Sequence, residues 1–229
     1  MCIRDSSYLL HRILKTDIQK DPDVYEDEIF FGCGCFWGSE KCFWKLPGVI
    51  TTSVGYAGGE KNNPTYYEVC SGLTGHSEVV RVIWDKREID VSDLLKMFWE
   101  CHDPTQKNRQ GNDMGTQYRS AIYYKNENNI KTILASKEQY QTELSKKNLG
   151  LIETEIKMID SYFYAEQYHQ QYLASAGSRQ YCSASPTKVK LGVFTGSNYK
   201  LEDHIWENFN WEVDKCVLRS DNNPIKNNI

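Results

Sequence analysis

The chain of 229 residues carries 27 lysines and arginines against 31 aspartates and glutamates, a formal net charge of −4, with 40% of residues hydrophobic and 25% charged. This composition belongs to a globular chain of ordinary solubility. There is no apolar run of about 18 residues, no Lys/Arg cluster longer than a pair and no charged-then-apolar start, so neither a membrane nor a nucleic acid is expected as a partner, and a secretory signal is argued against.

Length allows one domain of about 150–200 residues with extensions. The start Met1-Cys2-Ile3-Arg4-Asp5-Ser6 is what a common sequencing-adapter tail encodes in frame, and it is read as foreign to the protein. Residues 1–26 form a leader ending in an acidic stretch. An apolar run from Ile29 to Cys33 then predicts a strand, and a helical pattern from Phe36 to Leu46 stops at Pro47-Gly48. The β-branched run Val49 to Val54 completes a β-α-β unit. A second unit follows, with a strand from Glu78 to Trp84, a helix capped by Ser92 and running to Cys101, and a strand from Tyr118 to Tyr124.

Two such units in series predict an α+β fold, a ferredoxin-like two-layer sandwich with helices mainly on one face of a mixed sheet. An amphipathic helix from Asn128 to Lys147 and a strand near Ile152 to Ile159 extend it. Residues 27–174 are thus the expected catalytic domain. Residues 175–229, rich in Ser, Gly, Lys and Asn, are expected to form a mostly irregular tail.

The eight cysteines, at 2, 33, 35, 42, 70, 101, 182 and 216, are too irregularly spaced for a small disulfide scaffold. Proline blocks the Asn63-Pro64-Thr65 glycosylation triplet. Both features point to a reducing compartment, the cytoplasm, where thiols are kept for reactivity or as small hydrophobes. The densest chemical signal is Gly32-Cys33-Gly34-Cys35-Phe36-Trp37-Gly38, where a strand turns into a helix. A cysteine at that junction faces unpaired N–H groups and the positive end of the helix dipole, which favours a thiolate. Phe36 and Trp37 place apolar surface beside it.

Other readings of the same residues remain open at this level. The glycine-rich turn could hold its cysteines as core residues. Zinc is disfavoured because Cys33-x-Cys35 has the wrong spacing and the adjacent Cys101 and His102 are expected to point apart. A cysteine hydrolase needs a histidine base, and His76, His102 and His169 are available. Glu78 begins an apolar strand, where desolvation would raise its pKa.

Taken together, Gly34-Cys35-Phe36-Trp37-Gly38, Gly55-Tyr56-Ala57-Gly58-Gly59, Asn63-Pro64-Thr65-Tyr66, Gly75-His76-Ser77-Glu78, His102-Asp103-Pro104-Thr105, the segment from Gly111 to Ser120 and the segment from Ala165 to Leu173 resemble the A-type peptide methionine sulfoxide reductases. The resemblance runs from about residue 29 to Cys182, and the family's usual glycine-rich end is absent. It implies thiol-dependent reduction of methionine-S-sulfoxide, free or in proteins, without a cofactor or metal, in a monomer recycled by thioredoxin. It further implies Cys35 as nucleophile, Glu78 as proton donor, Tyr66 and Tyr118 as hydrogen-bond donors to the oxygen, Phe36 and Trp37 around the methyl group, and Asp113 in the polar network. Cys182 stands where the family carries a resolving cysteine, with Cys216 as a shuttle that accepts the disulfide. Cys42 is expected to pack in the core, and Cys70 and Cys101 to have no tie to the site. A thiol peroxidase and a non-catalytic module that binds oxidised methionine are the rival readings.

Overall fold

The computed structural model describes residues 10–213 and 216–227, apart from the side chain of Cys216. Expectations for the first six residues and for Cys216 as a shuttle fall outside what is described. The strands are β1 (Glu26–Cys33), β2 (Val49–Ala57), β3 (Ser77–Asp85), β4 (Arg109–Gln110), β5 (Asp113–Met114), β6 (Ser120–Tyr124), β7 (Glu155–Met158) and β8 (Tyr162–Tyr164). The helices are α1 (Phe36–Trp44), α2 (Tyr66–Cys70), α3 (Val91–Cys101), α4 (Ile130–Lys146), α5 (Asp203–Trp206) and α6 (Cys216–Arg219).

Six strands form one mixed sheet in the order β7-β6-β1-β3-β2-β8, and β4 pairs with β5 in a separate ribbon. All pairings in the large sheet are antiparallel except β6 with β7. Period-2 alternation explains its two faces. Ile29, Phe31 and Cys33 of β1, with Val80, Val82 and Trp84 of β3, turn to the side where α1, α3 and α4 bury Phe43, Phe98 and Tyr140. Phe30, Val79, Ala121 and Tyr123 turn the other way into a smaller cluster.

Local chemistry moves several boundaries. Asp90, not Ser92, caps α3: its carboxylate accepts from the Ser92 N–H, while Asp93 answers the Asp90 N–H in a capping box. A carboxylate two residues upstream offers a stronger acceptor than the serine hydroxyl. Tyr118 lies on a 3₁₀ turn, and the strand expected to include it starts at Ser120. The short helix α2 is capped by Thr65 and Glu68. The edge strand β8 had no signal strong enough to separate it from its neighbours.

Residues 175–202 contain no helix or strand, and the described residues of the remaining tail form only α5 and α6. Irregular backbone does not mean loose packing here. Leu191, Ile205, Phe209 and Trp211 join the main core, and the tail is tied to α1 by Lys41 to the Ser220 carbonyl at 2.7 Å and by Ile225 N–H to the Lys45 carbonyl at 2.9 Å. Among the described residues no helix is long and apolar enough to cross a membrane.

Candidate active site

Gly34 has φ +87°, and a Cβ there would fall 2.5 Å from the Cβ of Gln110. Glycine is therefore required to turn the chain out of β1 into α1. The turn sets Cys35 at the N-cap of α1, 8% exposed, beside the backbone N–H of Trp37. Glu78 enters from β3, 2% exposed, and its Oε2 accepts the Phe36 N–H at 3.0 Å.

Burial drives the electrostatics. The Glu78 pKa is pushed up to about 8, first by desolvation and then by the charge of Asp113, against the lowering effect of the Phe36 N–H. Desolvation and the Glu78 charge likewise raise the Cys35 thiol well above its ordinary value, outweighing the Trp37 N–H. This corrects the expectation that helix-terminal placement favours the resting thiolate. The Trp37 N–H at the helix end does lower the pKa, but withdrawal from water is larger.

Tyr66 on α2 and Tyr118 on the turn after β5 both feel the Glu78 charge, and burial raises both phenols. Tyr118 also senses Asp113 and Cys35. Asp113 on β5 accepts a short hydrogen bond from the Tyr181 hydroxyl. Cys35, Glu78, Tyr66, Tyr118 and Asp113 come from five separate segments, yet their charges act on one another, with Cys35 and Glu78 buried and the other three half-buried.

An aromatic wall stands beside it. Trp37 stacks on Tyr172 with ring centroids 3.9 Å apart, and its indole N–H donates to His169 Nδ1 at 3.0 Å. His169 also touches the rings of Phe36 and Tyr66. Burial lowers the His169 pKa to about 4, so the ring is neutral; with Nδ1 accepting, Nε2 carries the hydrogen, and that atom is buried with no protein partner. Glu166 accepts from Tyr56 at 2.9 Å and from the Tyr66 N–H at 2.9 Å, fixing the start of α2. Sequence reasoning assigned no role to Glu166, Tyr172 or Tyr181, and weighed His169 only as a hydrolase base. The signal available was the dense polar-aromatic run from Ala165 to Leu173.

The three histidines weighed as a base for Cys35 have other hydrogen-bond partners. His76 is held by Gly59 N–H and the Lys61 carbonyl, His102 by the Phe98 carbonyl and Ser120, and His169 by Trp37. His102, Cys33 and Cys101 bring their ligand atoms within 4.8 Å of one another, so Cys101 and His102 do not point apart as expected. With both ring nitrogens hydrogen-bonded, the imidazole has no lone pair to give a metal without breaking a bond.

Cys182 is 5% exposed and sits directly over Gly38, one turn into α1 from Cys35: a Cβ at Gly38 would fall 2.4 Å from its sulfur. Two cysteines expected to stand apart are tied to this region. Cys70 lies near enough to the Tyr66 phenol to shift its pKa, and Cys101 lines the same small cavity as Cys182. Cys42 is 4% exposed, in the core as expected.

The family model for peptide methionine sulfoxide reductase matches residues 27–199. A peptide methionine sulfoxide reductase of Vibrio vulnificus is 52% identical over 180 residues, covering 79% of this chain and 86% of its own. One from Azotobacter vinelandii is 56% identical, covering 72% of this chain and 76% of its own. Among solved structures, methionine sulfoxide reductase A of Corynebacterium diphtheriae aligns with a TM-score of 0.69 at 42% identity, over 80% of this chain and 88% of that one. The reduced form of Mxr1 from Saccharomyces cerevisiae aligns at 0.65 and 34% identity, over 71% of this chain and 92% of that one. The chain belongs to the peptide methionine sulfoxide reductase family.

Proposed function

We propose that the protein reduces the S epimer of methionine sulfoxide, free or in oxidised proteins, to methionine. The observation that carries this reading is the Glu78 carboxyl, buried and held neutral to about pH 8 against the backbone next to Cys35. A neutral acid can protonate the sulfoxide oxygen while the Cys35 sulfur attacks the sulfoxide sulfur. Tyr66 and Tyr118 stand ready to donate to that oxygen, and the Asp113–Tyr181 pair orients the polar side of the pocket. Phe36 and Trp37 offer an apolar wall for the methyl group, which a peroxidase would not need.

Atoms balance as follows. Sulfoxide and the Cys35 thiol become sulfide and a Cys35 sulfenic acid. The Cys182 thiol condenses with the sulfenic acid, releasing water and forming the Cys35–Cys182 disulfide, which the thioredoxin dithiol, or dithiothreitol in vitro, then reduces. Thiols supply the electrons, so no cofactor or metal enters.

Support for a ferredoxin-like core comes from the order β6-β1-β3-β2, with β7 and β8 added at the edges. Residues 27–174 then form the catalytic unit, acting as a monomer, and the tail supplies Cys182. The thiols of Cys33, Cys35, Cys42, Cys70 and Cys101 suit a reducing compartment, the cytoplasm.

Incubation with each epimer of a methionine sulfoxide peptide and a thioredoxin system tests this reading. Sulfide is expected from the S epimer alone. Peroxide consumption without sulfide would favour the peroxidase, and binding without turnover the recognition module.

A further inference from the structure

Three buried cysteines take no part in the reaction above, yet they lie together beside the one that does. Cys42 on α1 and Cys101 on α3 line the same small cavity, and each thiol feels the other. Cys101 also lies close to Cys33, and its thiol points at the Phe98 carbonyl at 3.5 Å. A small, mostly apolar cavity lined by Gly38, Cys42, Cys101, Cys182, Trp211 and Val217 connects this group to Cys182. Trp211 and Val217 belong to the tail, so the tail closes the cavity over the sulfurs.

We propose that Cys101 and Cys42 form a second, internal redox pair that takes the disulfide from Cys182 and so stores the oxidation of one further turnover. The proposal rests on the Cys35–Cys182 disulfide of the preceding reading. In the first step Cys101 sulfur attacks Cys182 sulfur. The Cys35–Cys182 bond breaks, a Cys101–Cys182 bond forms, and Cys35 leaves as thiolate and takes up the proton that Cys101 lost. In the second step Cys42 attacks Cys101 sulfur, giving the Cys42–Cys101 disulfide and returning Cys182 to the thiol. Two electrons have moved from the Cys42/Cys101 pair to the Cys35/Cys182 pair, and no outside reductant is consumed.

The surroundings make this a slow reserve rather than the main route. Neighbouring cysteines and burial raise the thiols of Cys42 and Cys101, so attacking thiolate is scarce; Lys41, buried on the same helix, and the Cys42 backbone N–H favour the Cys42 anion. The small size and apolar lining of the cavity also shield the stored disulfide from large reductants. The pair therefore matters when thioredoxin is exhausted.

The test is a burst measurement on the Cys216→Ser chain, which removes the tail cysteine from the count. The chain is mixed with excess methionine sulfoxide and no reductant, sulfide is counted per chain, and the disulfides are mapped after alkylation in denaturant. Expected are a Cys42–Cys101 peptide and a burst that halves when Cys101→Ala or Cys42→Ala is added. If either core variant fails to fold by thermal melting, the other variant and the mapping stand alone. An unchanged burst in a folded variant, or Cys42 and Cys101 recovered as alkylated thiols, overturns the proposal. The Cys101→Ala chain should retain a Cys35–Cys182 peptide; its absence would instead count against the underlying reading.

Discussion

Glu78 Oε2 lies 3.0 Å from the backbone nitrogen of Phe36, the residue that follows Cys35. The contact holds the carboxyl at the mouth of α1, while burial keeps it protonated up to about pH 8. Because the neutral form is the proton donor, turnover should fall as pH rises through about 8. Glu78→Gln should lose on the order of a hundred- to ten-thousand-fold in kcat, the usual range for a general acid. Its deficit should shrink at low pH, where solvent supplies the proton. A pH–rate profile that keeps the same alkaline limb in the variant would reassign the proton to Tyr66 or Tyr118.

Cys35→Ser should abolish turnover without loss of structure. The hydroxyl is nearly isosteric with the thiol but far too weak a nucleophile at neutral pH. Retained sulfoxide reduction, measured as sulfide formed, would remove Cys35 from the reaction.

Trp37→Ala removes both the stack on Tyr172 and the N–H that holds His169. It should raise KM more than it lowers kcat and blur discrimination among alkyl sulfoxides, since the apolar wall opens and His169 turns free. Identical kinetics across a series of alkyl sulfoxides would rule out that wall as the methyl site.

Gly38→Ala drives a methyl group to within 2.4 Å of the Cys182 sulfur and must displace it. The first chemical step, at Cys35, should continue. Disulfide formation should slow, so that a sulfenic acid accumulates and can be trapped by dimedone. If the trap captures no more than in the parent chain, Cys182 does not resolve the intermediate. Cys182→Ser should give the same trapped species and lose thioredoxin-dependent turnover.

Stability should depend on pH through Glu40. This carboxyl is buried on α1, accepts from Thr52 at 3.0 Å and from Gln171 at 2.7 and 2.8 Å, and has its pKa raised by desolvation from 4.5 to about 7. Below about 4.5 the group is protonated folded or unfolded. Between 4.5 and 7 the folded state holds a proton that the unfolded state has released, so stability falls with rising pH and the loss, roughly 3 kcal/mol, is complete above 7. Urea midpoints from pH 5 to 8 should decline, and Glu40→Gln should flatten the decline in that window. An equal slope in the variant would place the effect elsewhere.

Much of this protein is legible along the chain because its signals are local. The run Ile29 to Cys33 alternates faces, Phe36 to Trp44 repeats at the helical period, and Pro47-Gly48 stops it, so the two β-α-β units follow from neighbours within a few residues of one another. The junction of strand, glycine and helix likewise marks Cys35 before any fold is known. What the tertiary structure decided depends on residues far apart in sequence, for which spacing carries no information. The Asp113–Tyr181 bond joins positions 68 apart, and the Trp37–His169 bond positions 132 apart. The raised Glu78 and Cys35 pKa values arise from burial by several segments at once, which reversed the expectation drawn from the helix end alone. The meeting of Cys182 with Cys101 and Cys42 required the tail, irregular in backbone yet packed by Trp211 and Val217, to fold back over α1. Hydrophobic burial drives that return and is indifferent to secondary structure, so no periodicity in the last fifty residues announces it.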